Sequence, residues 1–236
     1  MNGQSETFQT KLPSSEAEWT TSRYDDDVFA IRGQVLRRRF ASRPAVFFGS
    51  SSFRYWHRMA EDLGCLDLAN LGFGGGTVES GLRYFDSLLG LVDPASITLY
   101  FGENDIANDG LDANSAFAAA QRLTRRIREV FGAVPIYHLS IKHSPARWIY
   151  ADEFRAFNAL RAESCAKGSD GVFIDVSSCL LGRHGRPIGR FYEADGIHLN
   201  AAGYAQWAEV IAAVPGLLPG DTPTSASGAR PTSAGG

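Results

Sequence analysis

The residues best placed to do chemistry are a serine, a histidine and an aspartate. Ser51 lies in Gly49-Ser50-Ser51-Ser52, directly after the apolar run Ala45-Val46-Phe47-Phe48. A buried strand that ends in glycine and small polar residues before a helix presents a side chain at the carboxyl edge of a sheet, where open α/β folds place their ligands. Late in the chain comes Asp195-Gly196-Ile197-His198. A base that takes a serine proton needs a carboxylate on its other ring nitrogen, which fixes the tautomer and stabilises the imidazolium. The separation of three residues allows that pairing within one turn. Ser51 is therefore the candidate nucleophile, His198 its base, and Asp195 the residue that orients the base.

Acyl transfer also needs donors aimed at the oxygen that becomes negative. Two stretches offer them: the glycine-rich turn from Asn70 to Thr77, and Gly102-Glu103-Asn104-Asp105 after a strong strand. Glycine lets a backbone amide approach unobstructed, and an asparagine side chain adds a second fixed donor. The expected oxyanion hole is the Ser51 amide, the Gly75 amide and the Asn104 side chain. Read singly, each piece has a plainer explanation. The serine run can cap a helix, the glycines can make a bend, and Asn-Asp is a turn former. The case for function is that all of them converge on one edge.

That convergence depends on the elements between them. Tyr24, Val28, Ile31 and Val35 mark one face of a first helix. The run 45–48 then reads as a central parallel strand, hydrophobic on both faces. A crossover helix is expected from about Phe53 to Leu63 with Tyr55, Met59 and Leu63 on its packed side, then a short strand over 66–70. Helix from Val78 to Leu91, strand 97–101, helix 112–131, strand 135–141, helix 148–167 and strand 172–175 follow in turn. After a loop over 182–196, Asn200 caps a last helix that buries Tyr204, Trp207, Ala208 and Ile211. Strands alternating with helices imply a five-stranded parallel doubly wound sheet in a three-layer α/β/α sandwich. In such a sheet the loops after the first three strands share one edge, which brings Ser51, Gly75 and Asn104 together.

Composition narrows the partners. The chain has 236 residues, 44% hydrophobic and 21% charged, with a net charge of −3. That is ordinary globular composition and gives no electrostatic case for nucleic acid. The basic run Arg37-Arg38-Arg39 closes the first helix, where cations complement the dipole. No apolar run approaches a membrane span and the first residues lack a signal core, so no membrane partner and a cytoplasmic location are expected. Residues 1–22 read as a mobile arm, 23–215 as the domain, and 216–236, rich in Gly, Pro, Ser, Thr and Ala, as a disordered tail. Cys65, Cys165 and Cys179 fit reduced structural thiols. Oligomeric state is not legible.

Several alternatives fail on particular residues. The nucleophile elbow of α/β-hydrolases needs a glycine where Phe53 stands. A dinucleotide fingerprint needs one at Thr77, and a phosphate loop needs Gly-Lys-Ser or Gly-Lys-Thr near Arg54. Asp195 and His198 could bind zinc, but no paired His or Cys completes a ligand set.

With the four blocks in hand, the chain resembles the SGNH hydrolases, also called GDSL-type esterases and lipases, from roughly Tyr24 to Val214. Ser51 matches the family's nucleophile, Gly75 and Asn104 its oxyanion residues, and Asp195 and His198 its aspartate-x-x-histidine pair. The aspartate that precedes the nucleophile in the founding motif is Ser50 here; some branches are similar in carrying Gly-Ser-Ser-Ser. The resemblance implies a flavodoxin-like sandwich and hydrolysis of carboxylic esters without a cofactor. The expected partner is a small soluble ester. By loop position, Phe73, Ile106, Ile197, Lys142 and His143 are expected to line its pocket. A binding module that holds an acylated ligand without turnover is the competing reading.

Overall fold

A computed structural model describes residues 22–168 and 170–220. All of the expected arm but Ser22, and the expected tail beyond residue 220, lie outside the described residues. Helix α1 (Asp25–Arg37) leads into β1 (Ala45–Gly49), which is buried at every residue. The short helices α2 (Ser51–Arg54) and α3 (Met59–Asp62) precede β2 (Leu68–Gly72), then α4 (Val78–Arg83) and α5 (Phe85–Leu88) precede β3 (Ser96–Tyr100). Beyond α6 (Glu103–Ala107) and the long α7 (Ala113–Phe131) come β4 (Ile136–Leu139), α8 (Ala151–Ala166), β5 (Val172–Ile174) and α9 (Ala201–Ala212).

The sheet has five parallel strands in the order β2-β1-β3-β4-β5. This is the doubly wound α/β/α sandwich expected, and its order reverses beside β1, the crevice where such folds take ligands. Successive side chains of a strand point to opposite faces, so Val46 and Phe48 pack with α1, α4, α5, α7 and α8, while Ala45 and Phe47 pack with α2, α3 and α9. Burying this much aliphatic and aromatic surface is the main stabilising contribution.

Five expectations shift. The crossover helix over 53–63 is broken into α2 and α3 because Trp56 turns inward, stacked on Tyr204 at 5.1 Å with its indole N–H donated to Asp62. Tyr55 is thereby left 39% exposed instead of packed on the sheet. Strand β2 starts two residues late, with Leu66 80% exposed, and runs on through Gly72. A Cβ at Gly72 would lie 2.5 Å from the Arg54 nitrogen, so only glycine lets β2 end against α2. The helix over 78–91 is interrupted at Tyr84 and finishes as a tight turn at Leu89–Leu91, and the helix from Trp148 opens as another tight turn before α8. Packing also runs past residue 215: Leu217 and Leu218 are buried, and the Leu217 carbonyl accepts from Ser96 Oγ at 2.5 Å. Among the described residues, no helix is long and apolar enough to cross a membrane.

Candidate active site

Ser51 is the first residue of α2, presented from the end of β1 by an extended Ser50. His198 comes from the loop between β5 and α9. That loop is closed at its neck by a bridge between Tyr192 and Leu199 and by the Glu193 amide donating to the His198 carbonyl at 2.8 Å. Across 147 residues of sequence, His198 Nε2 and Ser51 Oγ stand 2.9 Å apart. On the other side of the ring, Nδ1 lies 2.5 Å from Asp195 Oδ2. Asp195 Oδ1 accepts the amides of Ile197 and His198 at 2.8 and 3.0 Å. Burial pushes this carboxyl up, but those amides and the His198 ring outweigh it and hold its pKa at about 2. An ionised Asp195 on Nδ1 leaves Nε2 as the acceptor for the serine proton. Tyr55 packs against the His198 ring, 4.7 Å between centroids and nearly perpendicular.

The glycine turn lies between two acidic supports. Gly75 takes the left-handed conformation, φ +67°, which favours glycine. Asn104 donates through Nδ2 to the Gly76 carbonyl at 2.9 Å, which ties the block after β3 to this turn. Asp105 adds to the tie by accepting the amides of Val78 at 2.9 Å and Gly102 at 3.0 Å. On the far side, Asp27 of α1 accepts the Gly74 amide at 2.8 Å, and Tyr24 donates its hydroxyl to the Gly75 carbonyl. Among the described residues, no acceptor engages the amide of Ser51 or of Gly75. An amide left without an acceptor is what stabilisation of a developing anion requires.

The orientation of Asn104 is set from behind. Arg147 Nη1 donates to Asn104 Oδ1 at 3.0 Å and to Glu103 Oε1 at 2.9 Å. Asn108 Nδ2 also donates to Asn104 Oδ1, at 3.2 Å. With its oxygen so engaged, the asparagine turns its NH₂ toward the glycine turn. Glu103 is the hub of the group, accepting from Lys142 Nζ at 2.7 Å and from the Tyr100 hydroxyl at 2.6 Å. Burial opposes its charge, but Lys142, Arg147 and Tyr100 hold its pKa below the ordinary range.

The expected pocket needs correction. Phe73 and Ile106 are buried in the core between the sheet and the α1 side, where apolar packing claims them. Lys142 is buried as the partner of Glu103. His143 is buried as well, its Nδ1 3.0 Å from Ser177 Oγ, and burial lowers its pKa. Ile197 alone of the five stays half-buried, between Asp195 and His198. A cavity of about 520 Å³ touches the relay at Asp195 and His198, but not at Ser51, Gly75 or Asn104, and is walled further by Tyr55, His57, Arg58 and Tyr204. The sequence carried little sign of this, because Tyr55, His57 and Arg58 fall in the helix break. Among the described residues, no group of three or more His, Cys, Asp or Glu could hold a metal ion.

Comparison with known proteins follows the same lines. No curated protein sequence matches the chain at a significant level. The fold is similar to that of a Streptococcus pneumonia protein provisionally termed a platelet activating factor, with 23% identity over 80% of this chain and 90% of that one and a TM-score of 0.67. It is similar to a GDSL-like lipase from Bacteroides thetaiotaomicron, with 18% identity over 78% and 95% of the two chains and a TM-score of 0.64. A lipase/acylhydrolase from Enterococcus faecalis aligns with 19% identity over 72% and 94%, with a TM-score of 0.58. The sequence model of the GDSL-like lipase/acylhydrolase family matches residues 38–206, which take in Ser51, Gly75, Asn104, Asp195 and His198. On that match across most of its length, the chain belongs to the GDSL-like lipase/acylhydrolase family.

Proposed function

We propose that this member of the family is a serine esterase that hydrolyses short-chain or acetyl esters of small soluble substrates through an acyl-enzyme. The observation that carries the reading is the unbroken relay from Ser51 Oγ through the His198 ring to Asp195. In the first half-reaction, Ser51 Oγ bonds to the ester carbonyl carbon as its proton passes to His198 Nε2. The carbonyl oxygen becomes an anion facing the amides of Ser51 and Gly75 and the Asn104 side chain. Collapse breaks the bond to the alcohol oxygen, which leaves with the proton from His198. In the second half-reaction, water gives a proton to His198 and attacks the acyl carbon. The acid then departs, and Ser51 recovers its proton. None of these steps calls for a metal or an organic cofactor.

A short acyl group is favoured by the polarity beside Asn104, where Arg147 and Asn108 stand with their side chains linked at 3.1 Å. Incubation with a fluorophosphonate followed by intact mass measurement tests the reading. A single adduct, absent in Ser51→Ala, is expected, together with faster turnover of p-nitrophenyl acetate than of the decanoate. No adduct on Ser51 would leave the non-catalytic binding module as the better account.

A further inference from the structure

The part of the chain that matches the family begins at residue 38, so it omits all of α1. Yet α1 reaches the glycine turn, and it does so through a residue bonded to Gly74, the neighbour of Gly75, and to Arg54, in the same short helix as Ser51. One oxygen of Asp27, Oδ2, accepts the Gly74 amide at 2.8 Å, on the residue next to Gly75. The other, Oδ1, pairs with Arg54 Nη2 at 2.7 Å, in the same short helix as Ser51. The carboxylate is mostly withdrawn from solvent, 19% exposed. A Cβ on Gly74 would lie 2.9 Å from Arg54 Nη1 and 3.1 Å from Asp27 Oδ2, so any side chain there would push directly on this bracket. Helix α1 is itself anchored, because Tyr84 donates its hydroxyl to Asp25 Oδ1 at 2.6 Å and Tyr24 packs edge-on against Phe73.

We propose that Asp27 is a positioning residue for the oxyanion hole, a strut supplied by α1 that fixes the spacing between the Gly75 amide and the Ser51 amide. The inference rests on the esterase reading above. Its physical basis is that donors stabilise a developing anion only when they already stand where its charge will appear, so a small misplacement far from the bond being broken costs rate steeply. Both bonds that Asp27 makes are to positively polarised groups, one an amide and one a guanidinium, and such charge-assisted contacts are the stiffer kind. Asp27 touches neither substrate nor reacting atoms. Its effect should therefore appear in transition-state stabilisation and not in ground-state binding.

The test compares Asp27→Ala, Asp27→Asn and Arg54→Met with the wild-type chain, using p-nitrophenyl acetate for kinetics and benzeneboronic acid as an anionic tetrahedral mimic. In Asp27→Ala, kcat should fall by about 10- to 100-fold with KM within about twofold, and the boronate Ki should rise in parallel. Asp27→Asn still accepts the Gly74 amide and should recover most of the loss, and Arg54→Met should lie between the two. A merely structural role would instead lower the thermal midpoint while leaving kcat and the boronate Ki of the folded fraction unchanged. That result, or an Asn variant no better than Ala, overturns the proposal. If Asp27→Ala does not fold, the Asn and Arg54→Met variants decide it on the same readouts. Wild-type protein inert toward esters and fluorophosphonate sinks the esterase reading and this inference with it, whereas active wild-type protein with an indifferent Asp27→Ala sinks this inference alone.

Discussion

Glu103 and Lys142 meet at 2.7 Å inside the protein, with their side chains 3% and 1% exposed. Removing one member of a buried pair costs about 3–5 kcal/mol where the other charge is left without a partner. Glu103 keeps Arg147 and Tyr100 as partners, so Lys142→Met should lower the unfolding free energy in urea by less than that, about 1–3 kcal/mol. The Glu103 contribution is present at neutral pH and is lost as pH falls through its lowered pKa. A single Lys142→Met variant as stable as the wild type would contradict this account.

Asn104 supplies the side-chain donor of the proposed hole, and comparable donors are worth about 10²–10³ in turnover. Asn104→Ala should lose that much in kcat toward p-nitrophenyl acetate. Arg147→Met, which leaves Asn108 alone on the asparagine oxygen and the NH₂ in place, should lose less. Equal losses in the two variants would show that the network around Glu103, and not the donor, sets the rate.

Ser51→Ala and His198→Ala should each lower kcat by roughly 10⁴-fold or more, and their combination should add little, because the two side chains act as one unit. With the Asp195 carboxyl at about 2, this group is a carboxylate at every pH suited to assay. The proposed mechanism then needs the neutral form of one further group, the His198 ring. A plot of log kcat/KM against pH should accordingly climb with unit slope on its acid side and level off. A rate that declined with rising pH would remove His198 from the role of base.

Asp105 behaves in the opposite sense to Glu103, two residues before it. Burial, only partly offset by the amides of Val78 and Gly102, raises its pKa from 3.8 to about 6. The folded chain thus holds this proton more tightly than the unfolded chain does. Stability from this group is full below about pH 4, declines between about pH 4 and 6, and stays reduced above that, by on the order of 2–3 kcal/mol. Urea unfolding of the wild type and Asp105→Asn across that range should give a difference that shrinks as pH rises. A difference that is flat with pH would mean Asp105 is not buried in its charged form.

The sheet and the pairing of Asp195 with His198 were legible because their signals are local. Val46 and Phe48 alternate with Ala45 and Phe47 within one strand, and Asp195 and His198 lie within one turn. What escaped sequence reading depends on distant partners. A lysine in a loop reads as solvated or pocket-lining, and nothing near Lys142 announces a carboxylate 39 residues earlier. Asp25, Asp26 and Asp27 all stand in the first turn of α1, and nothing local separates them. Only tertiary contacts single out Asp27, with its bonds to Gly74 and Arg54. The break after α2 was missed for a similar reason, since Trp56 turns inward toward Tyr204, 148 residues later in the sequence.

The Tyr192 to Leu199 loop is knotted to itself: Asp195 accepts two amides from its own loop, and the Glu193 amide closes the neck on His198. Carboxylate and imidazole are therefore held together by bonds within one loop. Were the loop to swing outward, the contact with Ser51 would open while the imidazole kept its carboxylate and its tautomer. Reclosing would then restore a primed base in a single docking step, with no rebuilding of the pair.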